Sequence, residues 1–314
     1  MKIRPVNKDA DLSVIANNYS AHERNKTILV EEVRSWLENA SNGRIARIFV
    51  AVDETDAIQG HVEISHEIWH TTGQFILFIL VDPKYCGQMI GSSLWEASLD
   101  FLNGHAVTSL ISSVWDDDSA SLAFAQRRGF SIERHIFASC LDLNTFDESP
   151  YLSDLARLEK EGIRFCTLAD FPENEETTRQ FYELNLAVVQ DIPGESWDLS
   201  EYPEFFKRHI LGSPWFRREG RLLALAGEEW VGFASVNHNP ATCRAYNATT
   251  GVIRSYRGRK IAQALKVLAV RYARRQGAIA VDTDNDSLNT PMLAINQKMG
   301  YQPQPGKYKL ILKM

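Results

Sequence analysis

The sequence predicts a mixed α/β fold built as two copies of one unit in tandem. Three observations carry this expectation. At 314 residues the chain is longer than one hydrophobic core ordinarily supports. "VDPKYCGQMIGSSL" at 81–94 and "VIRSYRGRKIAQAL" at 252–265 align so that Val81, Tyr85, Gly87, Ile90 and Leu94 fall on Val252, Tyr256, Gly258, Ile261 and Leu265. The same fixed offset carries "RRGF" at 127–130 onto "KMGY" at 298–301, so two distant landmarks keep one register.

The elements recur in the same order. In the first copy, alternation of apolar and polar residues predicts a strand at 2–6, and helical periodicity predicts helices at 10–22 and 30–40. Strands follow at 44–53, 58–69 and 73–82, the last holding the apolar run "FILFILV" of a buried strand. A helix at about 89–103, a strand at 106–115, a helix at 119–129 and a strand at 132–143 complete the copy. The second copy predicts a strand at 162–168, helices at 174–189 and 201–210, and strands at 219–227, 229–238 and 242–253. The helix opened by "YRGRKIAQALK" comes next, then a strand at 278–284, a helix at 288–299 and a last strand near 307–313.

Between the copies, Asp147, Glu148, Ser149 and Pro150 form a turn and helix-start signature ahead of an amphipathic segment. The expected division is therefore a first domain at 1–142, a linker helix at 143–161 and a second domain at 162–314.

A net charge of −6 argues against a general nucleic-acid binder, which needs a broad basic face. Cys86, Cys140, Cys166 and Cys243 are far apart, with neither a C-x-x-C pair nor zinc-like spacing, so reduced thiols in a cytoplasmic protein are the expectation. The opening "MKIRPVNKDADLSV" has no apolar stretch of signal-peptide type, and "FILFILV" is too short to span a bilayer.

Against this acidic background Arg254, Arg257, Arg259 and Lys260 crowd around Gly258, between a strand end and a helix start. Such a junction offers backbone N–H groups without intrahelical partners and the positive end of a helix dipole. It suits a diphosphate. Neither G-x-x-x-x-G-K-[ST] nor G-x-G-x-x-G with a downstream acid occurs, which demotes nucleoside triphosphates and dinucleotides.

These residues resemble the Gcn5-related N-acetyltransferases, the GNAT family, whose acetyl-coenzyme A (acetyl-CoA) loop reads R/Q-x-x-G-x-G/A after a V-x-P-x-Y-like strand end. The match is Val252, Tyr256, Arg257, Gly258, Ile261 and Ala262, with Lys260 where the family usually has glycine. "DTDNDSLNTPMLAINQKMGY" resembles the family's second cofactor segment. The resemblance covers nearly the whole chain twice and is similar to the two-domain mycothiol synthase-like group. It implies that each unit is a mixed, mostly antiparallel sheet flanked by helices, and that acetyl-CoA is the cosubstrate. Arg257, Gly258, Arg259, Lys260, Ile261 and Ala262 would hold its pyrophosphate, and Asn289 and Asn296 its pantetheine arm or sulfur.

In the first copy Cys86 replaces the loop arginine, Met89 the first family glycine, and Asp118 stands where the second has Asn289. A methionine would crowd an anion nest, so the first copy is expected to be structural or a weak binder and the second to be the enzyme.

Acyl transfer from a thioester to an amine by direct attack needs an oxyanion donor, a base and a stabilised thiolate. Backbone N–H groups near Thr250, Gly251 and Val252 are the candidate donors. Asp191 and Glu195, in "QDIPGESWDLS" above the acceptor site, are the candidate bases, with Asp282 and Asp284 as strand alternatives. At the position of the family's acidic tyrosine stands Asn296, which can donate a hydrogen bond but not a proton, and Tyr246 or Tyr301 are substitutes.

His61, His66 and His70 do not converge on an extended strand, and no metal is expected. "DDDS" at 116–119 reads as a helix cap. Trp197, Trp215 and Trp230 are candidate linings of an acceptor pocket. The functional expectation is a small-molecule N-acetyltransferase. A non-catalytic acyl-CoA sensor or scaffold is the alternative, distinguished by turnover.

Overall fold

The computed structural model describes residues 1–6, 9–23, 28–38, 45–66, 72–192 and 202–314. It divides into two compact units, one of Met1–Glu133 with Tyr308–Met314, the other of Arg134–Lys307.

The first unit contains β1 (Lys2–Pro5), α1 (Asp9–His22), α2 (Val30–Glu38), β2 (Ile45–Val52), β3 (Ile58–His66), β4 (Gln74–Val81), α3 (Ile90–Leu102), β5 (Ser109–Trp115) and α4 (Ser119–Gln126). Its strands run β1-β2-β3-β4-β5, antiparallel except for the β4–β5 pair. One core lies among Leu77, Leu94, Leu110 and Leu310; another joins Ile15 and Val33 to Ile48 and Val50. Pro83–Tyr85 forms a short 3-10 turn ahead of α3, and Asp118 accepts from the Ser121 N–H to cap α4 at 2.9 Å, as expected of "DDDS".

The second unit takes β6 (Ser131–Asp142) from Arg134 onward, then α5 (Leu152–Lys160), β7 (Ile163–Thr167), α6 (Glu175–Val189), α7 (Tyr202–Phe205), β8 (Arg221–Ala226), β9 (Glu229–Asn239), β10 (Arg244–Val252), α8 (Ile261–Arg275), β11 (Ala280–Asp286) and α9 (Thr290–Met299). α7 continues as a π-helical segment to Leu211. The order is β6-β11-β10-β9-β8-β7, in which β10 and β11 run parallel and the other neighbours antiparallel. α8 packs Leu265, Val267 and Ala269 into a core with Val231, Val252 and Val281. α6 packs Phe181, Leu184 and Val188 against Leu223 and Phe233 in another.

The division differs from the expected one in an informative way. The boundary falls at 133/134 rather than 142, because β6 completes the second unit beside β11, with Ala280 opposite Asp142 and Asp286 opposite Ile136. The chain's final strand, β12 (Gln302–Lys313), returns Tyr308–Lys313 to the first unit. The linker helix belongs to the second unit, where Leu155 and Leu158 of α5 enter the α8 core. Strand periodicity reveals an element but not which sheet it joins, so this exchange of last strands left no local signal.

Candidate active site

The second unit's parallel strands pair over only three positions, Arg244–Ala280, Ala245–Val281 and Tyr246–Asp282, and no pairing continues beyond them. They form a fork with its vertex at Tyr246. Just past the vertex the β9–β10 register shifts, since Asn247 lies opposite Val236 and Thr249 opposite Ser235, leaving Ala248 as a bulge. Bulges re-aim a strand's groups, and this one sits where the fork opens.

Side-chain partners identify the two faces. On one, Arg244 Nε donates to Asp282 Oδ2 at 2.7 Å and the Tyr246 hydroxyl donates to Asp284 Oδ2 at 2.6 Å. On the other, Asn247 accepts from Lys266 of α8 at its side chain and from Thr283 at its main-chain oxygen. The Ile253 N–H bonds Val231 O at 2.9 Å, and alternation along an antiparallel ladder then turns the N–H groups of Val252 and Thr250 away from β9, into the fork. Two of the three expected oxyanion donors are suitably directed. Gly251 is not, because its place in the alternation turns its N–H toward β9. Its role is steric: a Cβ there would lie 2.1 Å from Val188 Cγ1, so only glycine lets α6 approach.

At the open end of the fork Arg254–Tyr256 make a 3-10 turn, and α8 begins at Ile261, five residues later than the start of the "YRGRKIAQALK" run. Gly258 has φ +77° and Lys260 φ +70°, a left-handed conformation that costs any side chain and explains why glycine suits the position. A Cβ on Gly258 would meet nothing within 4 Å, so the turn is open to a ligand. The first turn of α8, including Ile261 and Ala262, presents N–H groups beyond the reach of intrahelical carbonyls.

The cations of this turn are held by carboxylates. Arg257 Nε donates to Val252 O at 2.9 Å, and its terminal nitrogen bonds Asp191 at 2.7 Å; Arg254 bonds the other oxygen of the same carboxylate. Arg259 pairs with Glu161 at 3.0 Å and Lys260 with Asp154 at 2.8 Å, both acids coming from α5 or its end. Arg254, then Arg257, holds the Asp191 carboxyl below its usual range, while Lys260 does so for Asp154 and Arg157 with Arg259 for Glu161.

A family model of the GNAT acetyltransferases matches residues 16–130 and again 185–301, more than half of the chain. The chain belongs to the GNAT acetyltransferase family. Among solved structures, a GCN5-related N-acetyltransferase from Sphaerobacter thermophilus matches with a TM-score of 0.67 at 17% identity, covering 99% of this chain and 95% of that one. A tandem GNAT protein from the clavulanic acid biosynthesis pathway matches with TM-score 0.67 at 18% identity over 99% and 98% of the two chains. A glucosamine N-acetyltransferase region of a fungal multi-domain β-N-acetylglucosaminidase gives TM-score 0.70 at 17% identity over 99% of this chain and 38% of that one. At these identities the structures show the shared fold alone. No curated protein matches.

GNAT enzymes use acyl-CoA, and the second unit's residues fit it. Besides the N–H groups and cations, two buried amide atoms lack protein partners among the described residues: Gln263 Nε2 on α8, a donor, and Asn296 Oδ1 on α9, an acceptor. The pantetheine arm carries amides of complementary type. Asn296 donates one amide hydrogen to Asn285 Oδ1 at 2.6 Å, which leaves its second N–H and its Oδ1 for the expected arm or sulfur. Asn289 is the N-cap of α9, accepting from the Met292 N–H at 3.4 Å.

Two arginines bond Asp191 and lower its basicity, which counts against the base expected there. Glu195 and Trp197 lie outside the described residues. Trp230 packs on Phe171, with ring centroids 4.7 Å apart. Trp215 does line a cavity of about 340 Å³ with Asn237, His238, Arg244, Tyr246 and Asp282, next to the fork vertex. Tyr246 is 37% exposed, yet partial desolvation, reinforced by Asp284, raises its hydroxyl well above the usual phenol range, so it stays protonated.

The first GNAT unit keeps the same fork. β4 and β5 pair only over Gln74–Ser109 to Ile76–Ile111, and Gly87 and Met89 repeat the positive φ values at +80° and +65°. A groove of about 600 Å³ runs along Leu77–Asp82, past Gly87 and Met89 to Arg127 and Arg128. Met89 does not crowd its turn as expected, being 70% exposed. What this copy lacks is the cluster of four cations, its turn carrying Lys84 beside Asp82, and the bulge, since Gly60–Val81 to Ser65–Ile76 pair residue for residue. Of the expected histidine trio, His61 is fully buried and His66 Nδ1 lies 2.7 Å from Gln74 O, while His70 is outside the described residues. No group of three potential metal ligands occurs among the described residues, and no described helix is long and apolar enough to cross a membrane.

Proposed function

We propose that the second unit transfers an acetyl group from acetyl-CoA to the amine of a small molecule. One observation carries this reading: the cation-rich turn and the Tyr246–Asp284 pair stand at the two ends of one bulged fork, with a cavity at the vertex. The pyrophosphate would lie on the turn around Gly258, drawing Arg257, Arg259 and Lys260 from their carboxylates. The arm would follow the fork, its amides meeting Asn296 Oδ1 and Gln263 Nε2, and the thioester oxygen would meet the N–H of Thr250 or Val252.

The amine, seated over the Trp215 and Tyr246 rings, attacks the thioester carbon. The C–S bond breaks, and the thiolate sulfur takes the Tyr246 proton. The proton shed by the nitrogen passes to the Asp284 side of the pair and through it back to the phenol. With a thiol pKa of about 8.5 the leaving group needs only this modest assistance. Asp282 and Asp284 outweigh Arg244 on this face, which favours a cationic amine over an anionic one.

The test is thiol release from acetyl-CoA across a panel of small primary amines, with the Tyr246→Phe chain in parallel. Amine-dependent release lost in Tyr246→Phe supports the reading. Binding of acetyl-CoA without release by any amine would instead favour the acyl-CoA sensor.

A further inference from the structure

Lys266 lies in the middle of α8 and is 1% exposed, among the largest fully buried side chains of the protein. Lysine is almost never buried so completely without an acidic partner. Here the amine has none among the described residues. It donates to Asn247 Oδ1 at 2.9 Å and stands 4.9 Å from the Tyr301 ring centre, and burial alone brings its pKa down to about 7.

Asn247, 1% exposed, holds both sides of the bulge and both prongs of the fork. Its amide nitrogen donates to Ser235 O at 3.0 Å and Thr249 O at 3.2 Å; its Oδ1 also accepts from Thr250 Oγ1 at 3.0 Å; its main-chain oxygen accepts from Thr283 Oγ1, on β11, at 2.9 Å. Lys266 and Thr250 together fill the two lone pairs of Oδ1. The duplicated unit provides an internal comparison. Lys266 corresponds to Trp95 at the fixed offset, and Asn247, one residue past the last paired position Tyr246, corresponds to Leu77, one past Ile76; there the strand pairing has no bulge. The polar pair and the bulge occur together in one copy and are absent together from the other.

We propose that Lys266 is a positioning residue for acyl transfer: through Asn247 it fixes the Ala248 bulge just past the fork vertex and, with it, the Thr250 N–H along the open fork, without touching the cofactor. The inference rests on the second-unit reading of the reaction. Its chemical rationale is that a misplacement of about 1 Å at a reacting centre costs on the order of a hundredfold in rate, whereas affinity is set mainly at the distant phosphate turn.

The experiment measures kcat and the KM for acetyl-CoA in Lys266→Met, Thr283→Val and Gly258→Glu chains, using the best amine from the panel. Lys266→Met should lower kcat about tenfold or more with KM within about twofold. Thr283→Val, which loses the 2.9 Å bond from β11 to Asn247 and a long 3.5 Å contact with Asp284 O, should lower kcat in the same way but less. If Lys266→Met keeps its kcat, or if kcat falls only together with loss of CoA binding, the positioning role is overturned. Should that variant not fold, Thr283→Val decides, and an unchanged kcat there overturns the proposal. Failure of the underlying reading looks different: Gly258→Glu would then turn over acetyl-CoA like the wild type.

Discussion

Arg257 donates to Asp191 at 2.7 Å, and the other oxygen of that carboxylate is taken by Arg254. A single acid thus holds two of the four cations around Gly258, one of them, Arg257, expected to meet the cofactor's phosphates. Exposed pairs of this kind are weak and screened by solvent, so they compete only modestly with an incoming phosphate. Asp191→Asn should therefore tighten acetyl-CoA binding by about two- to tenfold at low salt, an advantage that fades as salt screens the pairs. Calorimetric titration at two ionic strengths checks this. Were Asp191 the base, kcat would collapse instead and affinity would stay.

Tyr246 stands at the last paired position of the fork, its hydroxyl 2.6 Å from Asp284. Removing that oxygen as Tyr246→Phe leaves the packing and deletes the proton donor. The expected outcome is a loss of about a hundredfold in kcat with little change in the KM for acetyl-CoA. Steady-state kinetics with the best amine reads both.

The duplication, the order of elements and the phosphate turn were legible in the sequence because each has a local or periodic signature: Gly87 and Gly258 in register, strand alternation, and cations gathered at one helix start. The catalytic assignments were not. Asp191 matched by position along the chain, but its partners, the two arginines, follow from tertiary geometry. Lys266 is not singled out by the sequence, since nothing local distinguishes a lysine that ends beneath a strand bulge from a solvated one. The exchange of β6 and β12 between units was invisible for the same reason.

Gly251 is a steric requirement. With Val188 Cγ1 only 2.1 Å from where a Cβ would stand, Gly251→Ala must push α6 away from β10. Overpacking of this kind costs about 1–3 kcal/mol, more than the entropy recovered by replacing glycine. Thermal unfolding should show a lowered midpoint, while Gly258→Ala, with open space around it, should show only the cost of its left-handed φ.

Lys266 also predicts a pH dependence. Its pKa is about 7 in the fold against 10.5 for an ordinary lysine, so between those values the unfolded chain binds more protons. Unfolding free energy should accordingly rise with pH from 7 toward 9.5, with a contribution approaching about 1.4 kcal/mol per pH unit within the window. Tyr301, the ring facing the amine, is held protonated by burial and does not titrate there. Denaturant titrations at pH 7 and 9.5 should show this rise in the wild type and a smaller one in Lys266→Met.

Gly258 and Gly87 occupy equivalent turns, at φ +77° and +80°, and at each a Cβ would meet nothing within 4 Å. Glutamate at either places the same backbone strain and the same negative charge in the same kind of turn, so the two variants control for one another. Acetyl-CoA binding and amine-dependent thiol release, measured in Gly258→Glu and Gly87→Glu side by side, test the assignment of the reaction to the second unit most directly. Gly258→Glu should lose one binding site and all turnover, while Gly87→Glu keeps turnover. Turnover retained in Gly258→Glu and lost in Gly87→Glu would contradict that assignment, and would move the reaction to the groove of the first unit.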